Sequence, residues 1–570
     1  MSAVFLGITL FVLLMLNGRA IESGDTRALA RTAASLVQEL DFDLDEYPDA
    51  EFPFAREGEA GRKFSIYPPL PAVMAAPVFL VARSFFALDE DGVAFAGKVA
   101  SSSFAAAAAA LLFLTLARAH PAIDARWAAV VLALGTPLWS TSQALWQHPA
   151  AVLWLCLALL WLMRAGDDEA WAGRAGLPLA LMVAARHADV ALASVLALGV
   201  ALRWPRRIPA FVAWSAPVVA LVALYQWHAF GSPWRHGFSG SLDRFSEPWG
   251  VGQLGLLVSP GKGLFVFTPV ALVGLVGLLQ VWRRERWLAA TLGGAFLAHL
   301  AFTGRWREWH GGECFGPRLM TDALPLLLFF APEGLAKLQA LGALLAAISI
   351  GVQALGAMAY DGRWERLFQR DAPPRRAQGL AAHPELWEIA RSPLVFHATR
   401  RVILPSLPSL RDGRLVIRQH PVVLFGATGS RFAFTGGIDE VVVKGADNTA
   451  GDLHLQRGAY CEENRLRLRG RWDALFLRVR PGARQRRLEL RLFGHGNGTL
   501  YVGERSVWSP GPRFKEYAVR GPFRIRHPYL YADSGGADLL VTTGRGGAVV
   551  SLDSVALVAP GDPDQPLQLP

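Results

Sequence analysis

The apolar residues of this chain gather into long runs, and that clustering constrains the fold more than any other feature. Runs of about 16 to 24 residues recur up to Met358, and none follows. A helical run of that length matches the hydrocarbon core of a bilayer, about 30 Å thick. Candidate spans fall at about 3–17, 93–117, 127–144, 149–163, 175–187, 188–203, 208–227, 261–282, 287–303, 320–336 and 338–358. The chain thus divides into a polytopic α-helical membrane domain over 1–358 with about 11 spans, a linker over 359–413, an all-β domain over 414–558 and a tail over 559–570. The first apolar run lacks a basic start and a clear small-x-small cleavage site, so it reads as an anchor that is kept.

Charge orients the spans. Net charge is +10, from 57 Lys and Arg against 47 Asp and Glu. The excess flanks apolar runs, and no basic amphipathic helix or aromatic-basic stripe of the kind that grips nucleic acid is present. Arg118 and Arg126, then Arg203, Arg206 and Arg207, then Arg283, Arg284 and Arg286 fill three loops that the positive-inside rule assigns to the cytoplasm. Counting back, 93–117 runs outside to inside, and Asp89-Glu90-Asp91 lies outside. The run 68–86, with Pro68, Pro69, Pro71 and Pro77, is then expected as a re-entrant or juxtamembrane helix within a long outer loop, 18–92. Two more long loops, 228–260 and 304–319, share that side with the carboxyl-terminal domain.

From about Arg414 the pattern changes to short alternating segments such as Glu440-Val441-Val442-Val443-Lys444, parted by turns such as Gly494-His495-Gly496-Asn497-Gly498. Such punctuation predicts an antiparallel, jelly-roll-like sandwich. Trp472, Tyr501, Trp508, Tyr529 and Tyr531 are candidates to stack on sugar rings or to fill its core. A short helix is expected near 384–391.

Several polar groups fall where chemistry at a membrane edge would need them. Asp25 lies just past the first apolar run. It is a candidate general base for a hydroxyl nucleophile; alternatively Ser23, Asp25 or Thr26 caps a helix running to about Leu40. Asp41, Asp43 and Asp45 alternate as oxygen ligands for a divalent cation would, or as a solvated turn does. Arg62-Lys63 and Tyr67-Pro68-Pro69-Leu70 place cations and an aromatic at the next membrane edge, where the cations either meet a lipid phosphate or snorkel to headgroups. The segment from Arg305 to Arg318 holds Glu308, Trp309, His310, a Gly311-Gly312 pair that lets backbone approach a ligand, and Gly316-Pro317-Arg318, whose guanidinium suits a phosphate; the alternative is an interfacial belt of Trp and Arg. Lys262 would add a cation to the same cleft. Arg186 and Asp189 read as a structural pair between short apolar runs. Nucleotide-binding glycine loops and Ser-His-Asp contexts are absent from the sequence.

Taken in order, these pieces resemble the C-type glycosyltransferases, polytopic enzymes that take sugars from polyprenyl phosphates, and within them the protein O-mannosyltransferase and lipid A aminoarabinose transferase branches. Those families carry an acid in the first outer loop, as Asp25 stands here, and a later His-Pro-Pro-Leu motif to which Tyr67-Pro68-Pro69-Leu70 is similar. The mannosyltransferases have Asp-Glu where this chain has Asp25-Thr26, and Tyr67 replaces the usual His. The resemblance covers residues 1–358. It implies an inner-membrane enzyme with its carboxyl-terminal domain in the periplasm, taking a polyprenyl-phosphate-linked sugar to a lipid, protein or glycan acceptor among membrane lipids. Asp25 would be the base, and Arg318, Lys63 and Lys262 would hold the donor phosphate. Tyr67, His310, Trp309 and Glu308 would line the substrate. No cofactor is required, with Asp41 and Asp43 the candidates for a divalent cation. Two other readings stand beside it: a transporter or lipid flippase, and a membrane-anchored carbohydrate-binding surface protein.

Overall fold

The structure, a computed structural model, describes residues 2–47, 54–360, 362, 364–365 and 383–398, and beyond them the strands between Ser409 and Val558. The chain forms two compact units, one of residues 1–398 and 409–417 and the other of 399–408 and 418–570. The first is helical. It opens with α1 (Ala3–Met15) and α2 (Gly24–Gln38), then a short hairpin of β1 (Ala55–Glu57) and β2 (Lys63–Ser65), then α3 (Leu70–Ala82) and α4 (Glu90–Leu116).

Among the described residues, four helices are long and apolar enough to cross a membrane: Gly92–Leu116 within α4, Gln147–Arg164, Pro205–Phe230 and Ala340–Ala359. Only 6% of the most apolar stretch of Pro205–Phe230 is buried. Val212, Val219, Leu221, Leu224 and Trp227 face outward from it. An apolar surface that long is costly in water and neutral in hydrocarbon.

Three of the other expected spans are cut by their own sequence. The run 127–144 gives a helix Ala122–Leu134 that ends at Gly135-Thr136-Pro137, then a single turn, Leu138–Thr141. The run 261–282 breaks at Thr268-Pro269, where proline supplies no N–H and bars its predecessor from helical angles. The run 320–336 becomes Arg318–Leu328 and Ala331–Leu338, bent by 74° at the break. The 287–303 run is a helix, Arg286–Thr303. Where helices touch, small residues bring backbones together: a side chain at Gly277 would start 1.8 Å from the Phe330 carbonyl, and one at Gly334 1.9 Å from that of Val273. Ala100, Ala105, Ala108 and Ala109 of α4 are likewise fully buried.

Part of the expected linker belongs to this helical unit. Turns over Pro384–Trp387 and Ile389–Arg391 lead to a helix, Pro393–Ala398. Leu386 is buried, and its carbonyl accepts from the Gly261 N–H at 2.9 Å.

In the second unit the described strands join one 11-stranded antiparallel sheet. Its two longest strands, Arg487–Arg505 and Arg513–Leu530, pair along nearly their whole length, with Tyr501 opposite Glu516 and Tyr529 opposite Leu488. Short strands were expected throughout, so this hairpin is a departure. Trp472, Trp508, Tyr531 and the 559–570 tail lie outside the described residues.

Candidate functional site

Asp25 and Arg318 meet. They stand 293 positions apart in sequence, and Arg318 Nη1 donates to Asp25 Oδ2 at 2.6 Å. Asp25 is not a helix cap. It lies in the first turn of α2, whose N-cap is Ser23, and Thr26 Oγ1 accepts the Ser23 N–H at 3.0 Å. That bond, with the Thr26 hydroxyl donating to the Ser23 carbonyl at 3.0 Å, fixes the helix start without using the carboxylate, whose charge the N-terminal end of the helix dipole favours. Both side chains keep a little exposure, 18% for Asp25 and 14% for Arg318.

The guanidinium lies 4.2 Å above the ring of Trp146, a cation–π support that sequence reading missed. Its Nε is buried and has no hydrogen-bond partner. Gly311, at φ +80°, leaves room for this side chain, since a Cβ there would sit 3.0 Å from Arg318 Cγ and Nε. Tyr67 completes the group. It is buried between Phe54 and Phe238, and its phenol is pushed far above the ordinary value by burial first and by the Asp25 carboxylate second. It is therefore a protonated hydrogen-bond donor at any physiological pH.

The other expected site residues divide. Glu308 is exposed and pairs loosely with Arg244 at 3.9 Å. Trp309 is core rather than a stacking platform: it is 1% exposed and fits against Gly255, where a Cβ would stand 2.3 Å from the ring. His310 is also buried, its ring 4.6 Å from that of His383 and its Nδ1 accepting the Gly312 N–H at 3.1 Å. Burial and then His383 hold it well below the ordinary histidine value.

Lys262 is fully buried instead of offered to a ligand. It pairs with Glu365 at 2.9 Å and donates to the carbonyls of Gly312 and Cys314. Removing this ammonium from water requires a carboxylate, and Glu365 supplies it. Lys63 is set on β2 opposite Glu57, with its N–H on Asp45 Oδ1 at 2.9 Å. The acidic run is occupied by its own loop: Asp41 accepts from Ser35 Oγ at 2.7 Å and Asp43 from Arg62 at 2.9 Å. Arg305 and Arg307 are fastened to the 244–247 segment through backbone carbonyls.

A second polar group lies in the helical core. Arg186 donates to Asp189 at 2.9 Å and to Asp322 at 2.8 Å, and His148 Nδ1 contacts Asp322 at 2.9 Å. His299 Nδ1 lies 3.6 Å from Asp189. Asp322 shares the segment Arg318–Ala323 with Arg318, so the two polar groups are joined by one turn of chain. The Arg186–Asp189 pair was legible; His299 and Asp322, ionisable residues inside apolar runs, carried a signal of the same kind that went unread.

The arrangement can accept a proton at Asp25 and an anion at Arg318. No protein-family model and no curated protein matches the chain.

Proposed function

We propose that this protein is a membrane glycosyltransferase that moves a sugar from a polyprenyl-phosphate donor to an acceptor on the extracytoplasmic side, built on about 11 spans and fragments of spans. One observation carries the reading: the acid just past the first apolar run and the arginine of the late Gly-Pro-Arg segment form one ion pair beside Tyr67. The unpartnered Nε of Arg318 supports a further acceptor, such as a phosphate oxygen. The donor phosphate competes with Asp25 for the guanidinium and releases the carboxylate. The acceptor oxygen then attacks the anomeric carbon, its proton passes to Asp25, and the bond to the phosphate oxygen breaks with inversion. Arg318, aided by the Tyr67 hydroxyl, receives the charge that develops on the leaving phosphate. The carboxyl-terminal domain, read as a jelly-roll-like sandwich, binds carbohydrate.

Purified enzyme with a polyprenyl-phosphate sugar tests both roles. Asp25→Asn is expected to abolish transfer while donor binding persists. Arg318→Ala is expected to weaken donor binding by about tenfold or more. Full transfer by the first variant ends the general-base assignment, and unchanged donor affinity in the second ends the phosphate role. A transporter or flippase draws on a different observation, the 74° break between Arg318–Leu328 and Ala331–Leu338. It predicts that Asp25→Asn leaves lipid movement intact.

A further inference from the structure

The buried group beneath the ion pair has a valence that its hydrogen bonds do not fill. His299 Nε2 faces the Leu319 carbonyl at 2.7 Å. Only a donor belongs opposite a carbonyl, so Nε2 carries the ring hydrogen and Nδ1 of the neutral ring is a bare lone pair. That lone pair points toward a carboxylate, with Asp189 Oδ1 at 3.6 Å. Neither His299 Nδ1 nor Asp189 Oδ2 has a hydrogen-bond partner, although both residues are completely buried. Two lone-pair groups turned toward each other out of water repel unless something positive lies between them.

Asp189, His299 and Asp322 each offer a ligand atom, all within 4.8 Å of one another. Two atoms bonded to zinc at about 2.1 Å and set tetrahedrally stand about 3.4 Å apart, close to the spacing found between Asp189 and His299. The far nitrogen of the imidazole is tied to a backbone carbonyl, as the outer partner of a metal-bound histidine should be. Arg186 and His148 hold the same carboxylates from outside, which fixes their orientation.

We propose that Asp189 and His299, with Asp322, bind a transition-metal dication of the zinc class. One imidazole with two carboxylates suits such an ion better than calcium or magnesium, which take oxygen alone. The ion is structural. It ties the Arg318–Ala323 segment to the helix Arg286–Thr303 and to the turn His187–Asp189, and so sets the base on which Arg318 stands. This inference does not depend on the reaction proposed above.

The test uses the full chain purified in detergent, with zinc chloride as the probe and metal content read by elemental mass spectrometry. About one zinc per chain is expected, lost in His299→Gln and Asp189→Asn because each removes a ligand. Asp43→Asn and His383→Gln should retain it. Should the ligand variants fail to fold, the wild-type protein decides: chelator stripping is expected to lower its melting temperature by several degrees, and zinc to restore it. Absence of zinc uptake, with no shift in melting temperature, overturns the proposal and leaves a proton as the bridge. Loss of the metal in His383→Gln overturns it equally, by moving the site to the His310–His383 pair.

Discussion

His310 shows how a residue type chosen for binding is spent on structure. Its Nδ1 accepts a backbone N–H, and burial opposes any charge on the ring. The folded state therefore binds the proton later than the unfolded chain does. Stability is complete above the ordinary histidine value, about 6.5, and falls as pH drops below it, by up to about 1.4 kcal/mol per pH unit. His310→Asn keeps an acceptor for Gly312 but cannot titrate. Thermal unfolding from pH 7.5 to 5 should show the wild type losing more stability than this variant. Parallel losses would mean that His310 is not the group taking up the proton. Asp25, Tyr67 and Arg318 were legible because each is a polar residue at an apolar boundary. The Trp146 platform and the partner of each charge were not, because a pairing across 293 positions leaves no local pattern.

At the scale of elements, the sequence marks starts better than continuity. Ser23 and Thr26 announce the beginning of α2 by capping chemistry, and the observed end at Gln38 is close to the expected one. Apolar counting, by contrast, reads straight through Thr136-Pro137 and Thr268-Pro269, since proline hardly alters hydropathy yet ends a helix. The loop after Arg305 needed tertiary information as well. Lys262 clamps its backbone, and the carboxylate that makes this tolerable comes from Glu365. Neither ion has appreciable exposure, so Lys262→Met should cost about 3–5 kcal/mol by leaving an unpaired buried charge. Adding Glu365→Leu should return most of that loss, measured by thermal unfolding in detergent. If the double variant is no more stable than the single, the ammonium's bonds to the Gly312 and Cys314 carbonyls outweigh its ion pair.

At the scale of the whole molecule, α3 decides how many times the chain crosses. It has 13 residues, Leu70–Ala82, and at about 1.5 Å each spans about 20 Å, short of a 30 Å hydrocarbon core. Pro77 within it and the charged Arg83 at its end add to the mismatch. A helix that enters and leaves on one side keeps Asp25 and the 84–91 loop together, as the ion pair to Arg318 requires if α4 begins outside. A full crossing would put that loop on the opposite side from Asp25. Asp89 accepts the Gly92 N–H at 2.9 Å and caps α4, so the exposed Ala87 is the better place for a reporter thiol. In a background with Cys156, Cys314 and Cys461 replaced, Ala87→Cys should react with a membrane-impermeant maleimide added to intact cells. Arg283→Cys should react only after the membrane is opened. Protection at 87 together with labelling at 283 would invert the charge-derived orientation. Protection at both would make α3 a true span and separate Asp25 from the start of α4.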